Sequence, residues 1–365
     1  MNKLRILLGI LFMLFVTSSQ ACRYTIREIG FSTLSRVTYV IYKVDETTSF
    51  FPRQQAEAFA EANVKPLTLG FNEDAGNPII SFVKSEELKL PAYVLVDQNN
   101  RMLALPANQS NGTLQEEILF SPLQKKIASE LPNIYATVVL VEGINPHENK
   151  IARDLVSKAC TRIENIIPNM PKQVEIGPNM AVISKANFEE EKILLWSLGI
   201  ESIPAQPTAY ILYGRGRIMG DKIDYNSIKQ ENIYKLLSII GADCECGLDR
   251  KWMLGYQIPL NWPKEVGQHL SDNLGFDVDN PMILAEMSRI LAIENRVPKD
   301  PNNVTFEPLV LNLDDEFGKV PEIEHTVSAS GTDDEFTVGQ TITYTIIFFL
   351  LTSIIGVIFV LKRKK

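Results

Sequence analysis

The chain has 365 residues, 45% of them hydrophobic and 22% charged, with a formal net charge of −8. That length holds two or three domains, and the apolar share is enough to bury a sizeable core. The acidic balance argues against a nucleic-acid partner, because phosphate binding needs a basic surface.

The start of the chain predicts a signal peptide over 1–21. Lys3 and Arg5 are basic, Ile6 to Val16 is an uncharged apolar run, and Thr17 to Ala21 is small and polar. Ser19 and Ala21 stand where the cleavage enzyme inspects for small side chains. The apolar run is about 11 residues, short of the roughly 20 that span hydrocarbon. An uncleaved anchor is the competing reading. Cys22 leads the mature chain, and a lipid on it is an alternative. That alternative is weakened by Ser19, which stands where a lipobox usually has Leu.

Arg36 to Val44 (RVTYVIYKV) reads as a strand, 52–63 as a helix, and Lys65 to Phe71 as a second strand. After an insertion, Pro91 to Leu103 reads as a proline-led hairpin that turns at Asn99-Asn100. Leu114 to Leu131 reads as one helix. The order then returns. Tyr135 to Val141 is a strand, Asn149 to Ile167 a helix, Met180 to Ser184 a strand and Phe188 to Leu198 a helix. Pro207 to Met219 is a second proline-led hairpin, turning at Gly214 to Gly216, and Glu231 to Ile240 closes the unit. Each half is β-α-β, an insertion, then β-β-α. This predicts an internal duplication of about 100–120 residues per unit.

That order resembles the thioredoxin fold over 36–240, about half the chain. The expected fold class is α/β: two tandem thioredoxin-like units (22–132 and 133–243) and a small, mostly helical C-terminal subdomain (244–296). In the family a cis proline precedes the third strand and faces the active site. Pro91 and Pro207 hold that place and are expected to be cis. The family's oxidoreductases carry Cys-x-x-Cys where the first strand meets the first helix, because a helix N-terminus lowers the thiol pKa. Here the matching stretches are Asp45 to Phe50 (DETTSF) and Gly143 to Glu148 (GINPHE), and neither holds a cysteine. The resemblance therefore brings no dithiol chemistry with it. Such modules serve as spacers or binding platforms.

Four cysteines remain: Cys22, Cys160, Cys244 and Cys246. Cys160 falls inside a predicted helix, where a buried, inert thiol is expected. Cys244-Glu245-Cys246 is the most specific small motif. Structural disulfides with Cys22 or Cys160, a strained redox dithiol, and a soft-metal site with Cys22 as third thiolate all suit it. His147, His269 and His325 have no ligand spacing, and His147 with Glu148 reads as an exposed helix start. Trp252, Tyr256 and Trp262 are expected to pack a subdomain rather than form a binding strip. Helices are expected over 263–274 and 281–295.

From Val297 to Gln340 prolines and polar residues dominate, which predicts a disordered stalk. Asn108, Asn111 and Asn303 head glycosylation sequons. Ile342 to Leu361 carries no charge, so 341–361 reads as a transmembrane helix of about 30 Å. The basic tail 362–365 places its own side in the cytoplasm and the bulk of the chain outside it, in the periplasm or extracellular space. No Walker loop, dinucleotide fingerprint, HExxH or GxSxG motif appears, and no cofactor is expected. The expected function is a non-catalytic, membrane-anchored binding or scaffold protein with a protein partner. The alternative is a thiol-disulfide or soft-metal protein that uses Cys244 and Cys246.

Overall fold

The computed structural model describes residues 23–35, 39–51, 53–105, 113–170, 172–242 and 254–293. The signal peptide, Cys22, the three sequons, Cys244, Cys246, Trp252, His325, the stalk, the membrane helix and the tail lie outside these residues.

Two four-stranded sheets form the frame. In the first, β1 (Tyr39–Asp45) and β2 (Val64–Gly70) are parallel, while β3 (Ala92–Val96) and β4 (Met102–Leu105) are antiparallel, in the order β2-β1-β3-β4. In the second, β5 (Thr137–Val141), β6 (Asn179–Ile183), β7 (Thr208–Tyr213) and β8 (Arg217–Ile218) repeat that order as β6-β5-β7-β8. The central strands β3, β5 and β7 are buried along their whole length, as their unbroken runs of β-formers require. Pro66 lies in the edge strand β2, where a missing N–H is tolerated. Both hairpins turn where the sequence predicts, through Asn100 (φ 60°) and through Gly214 and Gly216 (φ 54° and 68°).

The helices are α1 (Ile26–Phe31), α2 (Arg53–Glu57), α3 (Pro78–Ser85), α4 (Thr113–Leu119), α5 (Pro122–Glu130), α6 (Pro146–Ile166), α7 (Lys192–Ser197), α8 (Gln230–Ile240), α9 (Lys264–Leu274) and α10 (Pro281–Ile293). Four departures from the sequence reading stand out. The helix expected over 52–63 shortens to the five residues of α2. The chain then passes through tight turns in which Phe59, Ala60 and Ala62 bond three residues back. The single helix expected over 114–131 breaks at Ser121. There the Ser121 hydroxyl accepts from Gln124 N–H, the Gln124 side chain accepts in return, and Pro122 starts a new helix. The six-residue α1 has no counterpart in the reading, and α3 fills the stretch read only as an insertion.

The packing shows what these departures accomplish. Leu114, Ile118 and Leu119 of α4 join the core of the first sheet, with Tyr39, Ile41 and Leu95. Leu123 and Ile127 of α5 join the core of the second, with Val139, Val141 and Leu212. Helix α5 lies in the range read as the first unit, yet it packs on the second sheet. Helix α7 serves both cores: Ile193 and Trp196 enter the first, Leu194 and Leu195 the second. Ile258, Leu260, Trp262 and Leu270, from the range read as a separate subdomain, also belong to the second core.

Helix α1 is wholly buried against the second sheet, although it precedes the first in the chain. Ile26 N–H donates to Ala242 O at 3.0 Å, and Arg215 N–H to Gly30 O at 3.1 Å. A Cβ on Gly30 would come within 2.5 Å of the Tyr213 ring, so only glycine allows this approach. Two buried arginines secure it. Arg27 donates to the carbonyls of Leu131, Pro132 and Ile134. Arg217 donates to Gly30 O (3.1 Å), Ser32 O (3.3 Å), Leu34 O (2.6 Å) and Gly255 O (3.3 Å). Burial lowers both guanidinium pKa values to about 10, which leaves them charged at neutral pH.

Candidate functional site

The strand register defines two poles in each unit. β3 runs against β1 with Val96 opposite Val40 and Ala92 opposite Val44. The turn 97–101 therefore lies at the start of β1, and Pro91 lies at its end. β7 runs against β5 with Leu212 opposite Thr137 and Thr208 opposite Val141, which places Gly214–Gly216 at the start of β5 and Pro207 at its end.

Contacts between the units gather at the strand starts. Tyr256 hydroxyl donates to Asn99 Oδ1 at 2.8 Å, and Tyr39 hydroxyl to Gln257 O at 2.8 Å. Asn63 donates to Ile258 O at 3.0 Å and accepts from Leu260 N–H at 2.8 Å. Arg101 reaches Ser197 O at 3.2 Å and lies over the Trp196 ring at 5.2 Å. The segment 256–262 is a strap. On one side it bonds to β8 and its turn, through Ile218 N–H to Tyr256 O (2.7 Å) and Ile258 N–H to Gly216 O (3.0 Å). On the other it bridges Ala62 through Asn261. Trp262 is buried within it, as expected of a packing residue, while Tyr256 stays 45% exposed with its hydroxyl bonded.

The opposite poles hold the stretches where the family places its dithiol. At the first, Lys43 and Asp45 project from one face of β1, and Lys43 Nζ lies 3.0 Å from Asp45 Oδ2 and 3.3 Å from Ser49 Oγ. Lys43 donates to the Asp45 carboxylate and holds its pKa below the usual range. Thr48 N–H donates to Glu73 at 3.0 Å, and hydrogen bonding from Thr48 likewise lowers the Glu73 pKa. This pole offers hydrogen bonds and charge. Phe50 stands 98% exposed beyond it.

At the second pole the helix takes over at once. Asn145 caps α6 by accepting from His147 N–H at 3.0 Å, and Pro146 occupies the first turn. Buried Asn149 closes the loop, accepting from Gly143 N–H (2.8 Å) and donating to Gly143 O (2.9 Å). Ile144 is 70% exposed. His147 is exposed, and no group of three or more His, Cys, Asp or Glu is placed to hold a metal among the described residues.

The prolines differ. The Leu90–Pro91 bond is cis and Pro91 is exposed. The expectation for Pro207 is corrected: Gln206–Pro207 is not cis, and Pro207 is buried. Its loop is positioned instead by Ile144 N–H, which donates to Pro204 O and Ala205 O at 3.2 and 3.3 Å. Cys160 is a free, buried thiol whose pKa burial pushes up to about 12. The sequence reading did not single out Phe50 or Ile144. Alternation along YVIYKVD puts Lys43 and Asp45 on one face and was the available signal for that pair.

No protein-family profile matches the chain, and no curated protein matches it. Among solved structures it is similar to the first two thioredoxin domains of Saccharomyces cerevisiae Eps1p, at 10% identity over 58% of this chain and 94% of that one (TM-score 0.21). It is also similar to the bb fragment of ERp72, at 10% identity over 56% and 87% (TM-score 0.19). The first two thioredoxin domains of Naumovozyma dairenensis Eps1p match at 9% identity over 54% and 88% (TM-score 0.17). The thioredoxin-like fold of both units rests on the strand order and register given above.

Proposed function

We propose that this chain is a non-catalytic binding or scaffold protein that presents its two cysteine-free poles to a protein partner. In this reading it is anchored in a membrane by the apolar span 342–361, with its bulk outside the cytoplasm, as an accessory subunit of an envelope or transport complex. One observation carries the reading. The strap and inter-unit contacts occupy the strand-start poles, and among the described residues the opposite poles are left clear, each with a large exposed apolar side chain, Phe50 or Ile144. A lone exposed apolar residue is ordinary. Two at the same topological position of duplicated units support a shared role. No helix among the described residues is long and apolar enough to cross a membrane; the anchoring part of the proposal rests on the sequence of 342–361 and its basic tail.

The test is photo-cross-linking in the full-length protein, purified in mild detergent, with the reactive side chain at position 50, at 144 or at the exposed control Ser129. Cross-linked partner from 50 or 144 and none from 129 is expected. A lone protein, or equal labelling from 129, overturns the reading.

A second reading, thiol-disulfide or soft-metal handling by Cys244 and Cys246 with Cys22, is favoured by the Ile26–Ala242 hydrogen bond. It brings together the described chain beside Cys22 and the described chain beside Cys244. Insulin reduction that disappears in Cys244→Ala would establish this alternative. A full count of free thiols with no bound metal and no reductase activity would reject it.

A further inference from the structure

The two poles differ in charge, and the difference points to what the first one binds. Around Phe50, the end of β1 brings Asp45 and Glu46, and the end of β2 brings Glu73 and Asp74. The approach to β3 adds Lys84, Glu86, Glu87 and Lys89, all exposed. Lys43 is already committed to Asp45, and Arg53 to Glu57 at 2.8 Å. Carboxylates thus outnumber ammonium groups at this pole. Glu46 and Glu73 are the exposed carboxylates nearest in sequence and contact to the Phe50 loop. The second pole is balanced: Glu142 pairs with Arg153, Gln206 donates to Glu148 at 3.3 Å, and Lys150 is exposed. An exposed aromatic side chain in a loop that carries Glu46 and is bonded to Glu73 through Thr48 complements a segment that is apolar at its centre and basic at its flanks.

We propose that the pole of the first unit binds an extended segment of a partner protein that lays an aliphatic side chain on Phe50 and sets flanking Lys or Arg against Glu46 and Glu73. The proposal rests on the reading of the poles as binding surfaces and names the chemistry of one of them. The aliphatic centre gains by covering an aromatic face that is otherwise fully in water. The flanking charges set preference and salt dependence rather than bulk affinity, because these carboxylates are solvated.

Three fluorescein-labelled heptapeptides test it against the full-length protein: Ser-Lys-Leu-Val-Leu-Lys-Ser and the same sequence with Glu or Ser in place of both lysines. Fluorescence anisotropy at low salt should rank them Lys above Ser above Glu, with about tenfold between the extremes that shrinks as salt screens the carboxylates. Phe50→Ser should weaken the Lys peptide about tenfold. Glu46→Gln with Glu73→Gln should abolish the Lys-over-Glu ranking, and the amide introduced at position 73 can still accept from Thr48 N–H. Equal binding of the Lys and Glu peptides, or no effect of Phe50→Ser, overturns the proposal. Binding lost in Ile144→Ser but kept in Phe50→Ser overturns it too, and leaves the general binding role standing. So does partner cross-linking at 50 in a protein that binds none of the peptides. Absence of both peptide binding and cross-linking removes the two readings together.

Discussion

The two thioredoxin-like poles are built on one strand order and closed in different ways. The second is closed by backbone: a capped 21-residue helix begins at Pro146, and buried Asn149 satisfies both polar groups of Gly143. The first is closed by side chains. No residue caps a long helix there, α2 has five residues, and the loop is held by Lys43, Asp45, Ser49 and Glu73 near water. Buried hydrogen bonds that satisfy backbone groups are costly to lose; the ties at the first pole are part-buried at Lys43 and Asp45 and exposed at Glu73, and exposed ties cost little. The same topology therefore supports one pole closed by buried backbone bonds and one closed by side chains nearer to solvent.

This contrast can be broken or sharpened by substitution. The largest effect is expected at Arg217, which holds α1 and the strap to the second sheet. Arg217→Met should cost on the order of 4 kcal/mol in urea unfolding, because it strands several buried carbonyls. Hydrogen exchange should quicken in β5–β8 well before β1–β4. Uniform loss of protection would show that the two sheets unfold as one. Next comes Asn149→Ala, expected to cost about 2 kcal/mol, against a change within about 0.5 kcal/mol for Ser49→Ala at the other pole. Equal costs would erase the distinction between the two kinds of closure.

A smaller, pH-dependent effect belongs to Glu191. It is buried, accepts from the Ser121 hydroxyl and from Leu123 N–H (2.7 Å), and caps α5 from the second unit. Burial raises its pKa in the fold. Its contribution is complete below the unfolded carboxyl value, about 4.3, and is lost as pH rises through the folded value. Glu191→Gln does not titrate, so its stability relative to the parent should improve as pH rises above about 4.3, through the raised folded value. A constant difference across that range would contradict the raised value. Asp45 has the opposite sign. Lys43 lowers its pKa, so its contribution fades as pH falls through the folded value. The smallest effect is expected for Phe50→Ser and Ile144→Ser, whose melting should indicate a change within about 0.5 kcal/mol. A larger loss would mean that these side chains pack in the fold rather than wait for a partner.

Much of the frame was legible in the sequence. The hairpins were marked by a proline, a run of β-formers and residues that accept positive φ, and the repeat followed from their recurrence. The Ser-Pro-Leu-Gln start of α5 also carried a readable signal, the capping box, but the helical spacing of apolar residues on either side concealed the break. Helix α1 was not legible. The Thr25–Glu28 capping box marks its start, but its six residues include Arg27 and Glu28, both buried, which leaves no clear apolar face, and its carbonyl and ring partners lie far along the chain. At the poles, the absence of cysteine was plain. The exposure of Phe50 and Ile144 was not, because periodicity reports which residues share a face and not whether the face is covered. The two prolines looked alike in sequence. They differ in the structure: Leu90–Pro91 is cis and exposed, whereas Pro207 is buried behind carbonyls that accept from Ile144 N–H.

The placement of α1 has a consequence for the order in which the protein is made. Arg217 meets Gly30 across 187 residues of sequence, and Arg27 meets Ile134 across 107. At about 5–20 residues per second, a ribosome takes roughly 10–40 seconds to supply Arg217 after Gly30 has been joined. During that interval the first helix has no site to enter, and Phe31 and Ile26 stay without their core. The first sheet, whose strands are all made before residue 106, can form meanwhile. The second unit is thus completed by a segment made before either sheet.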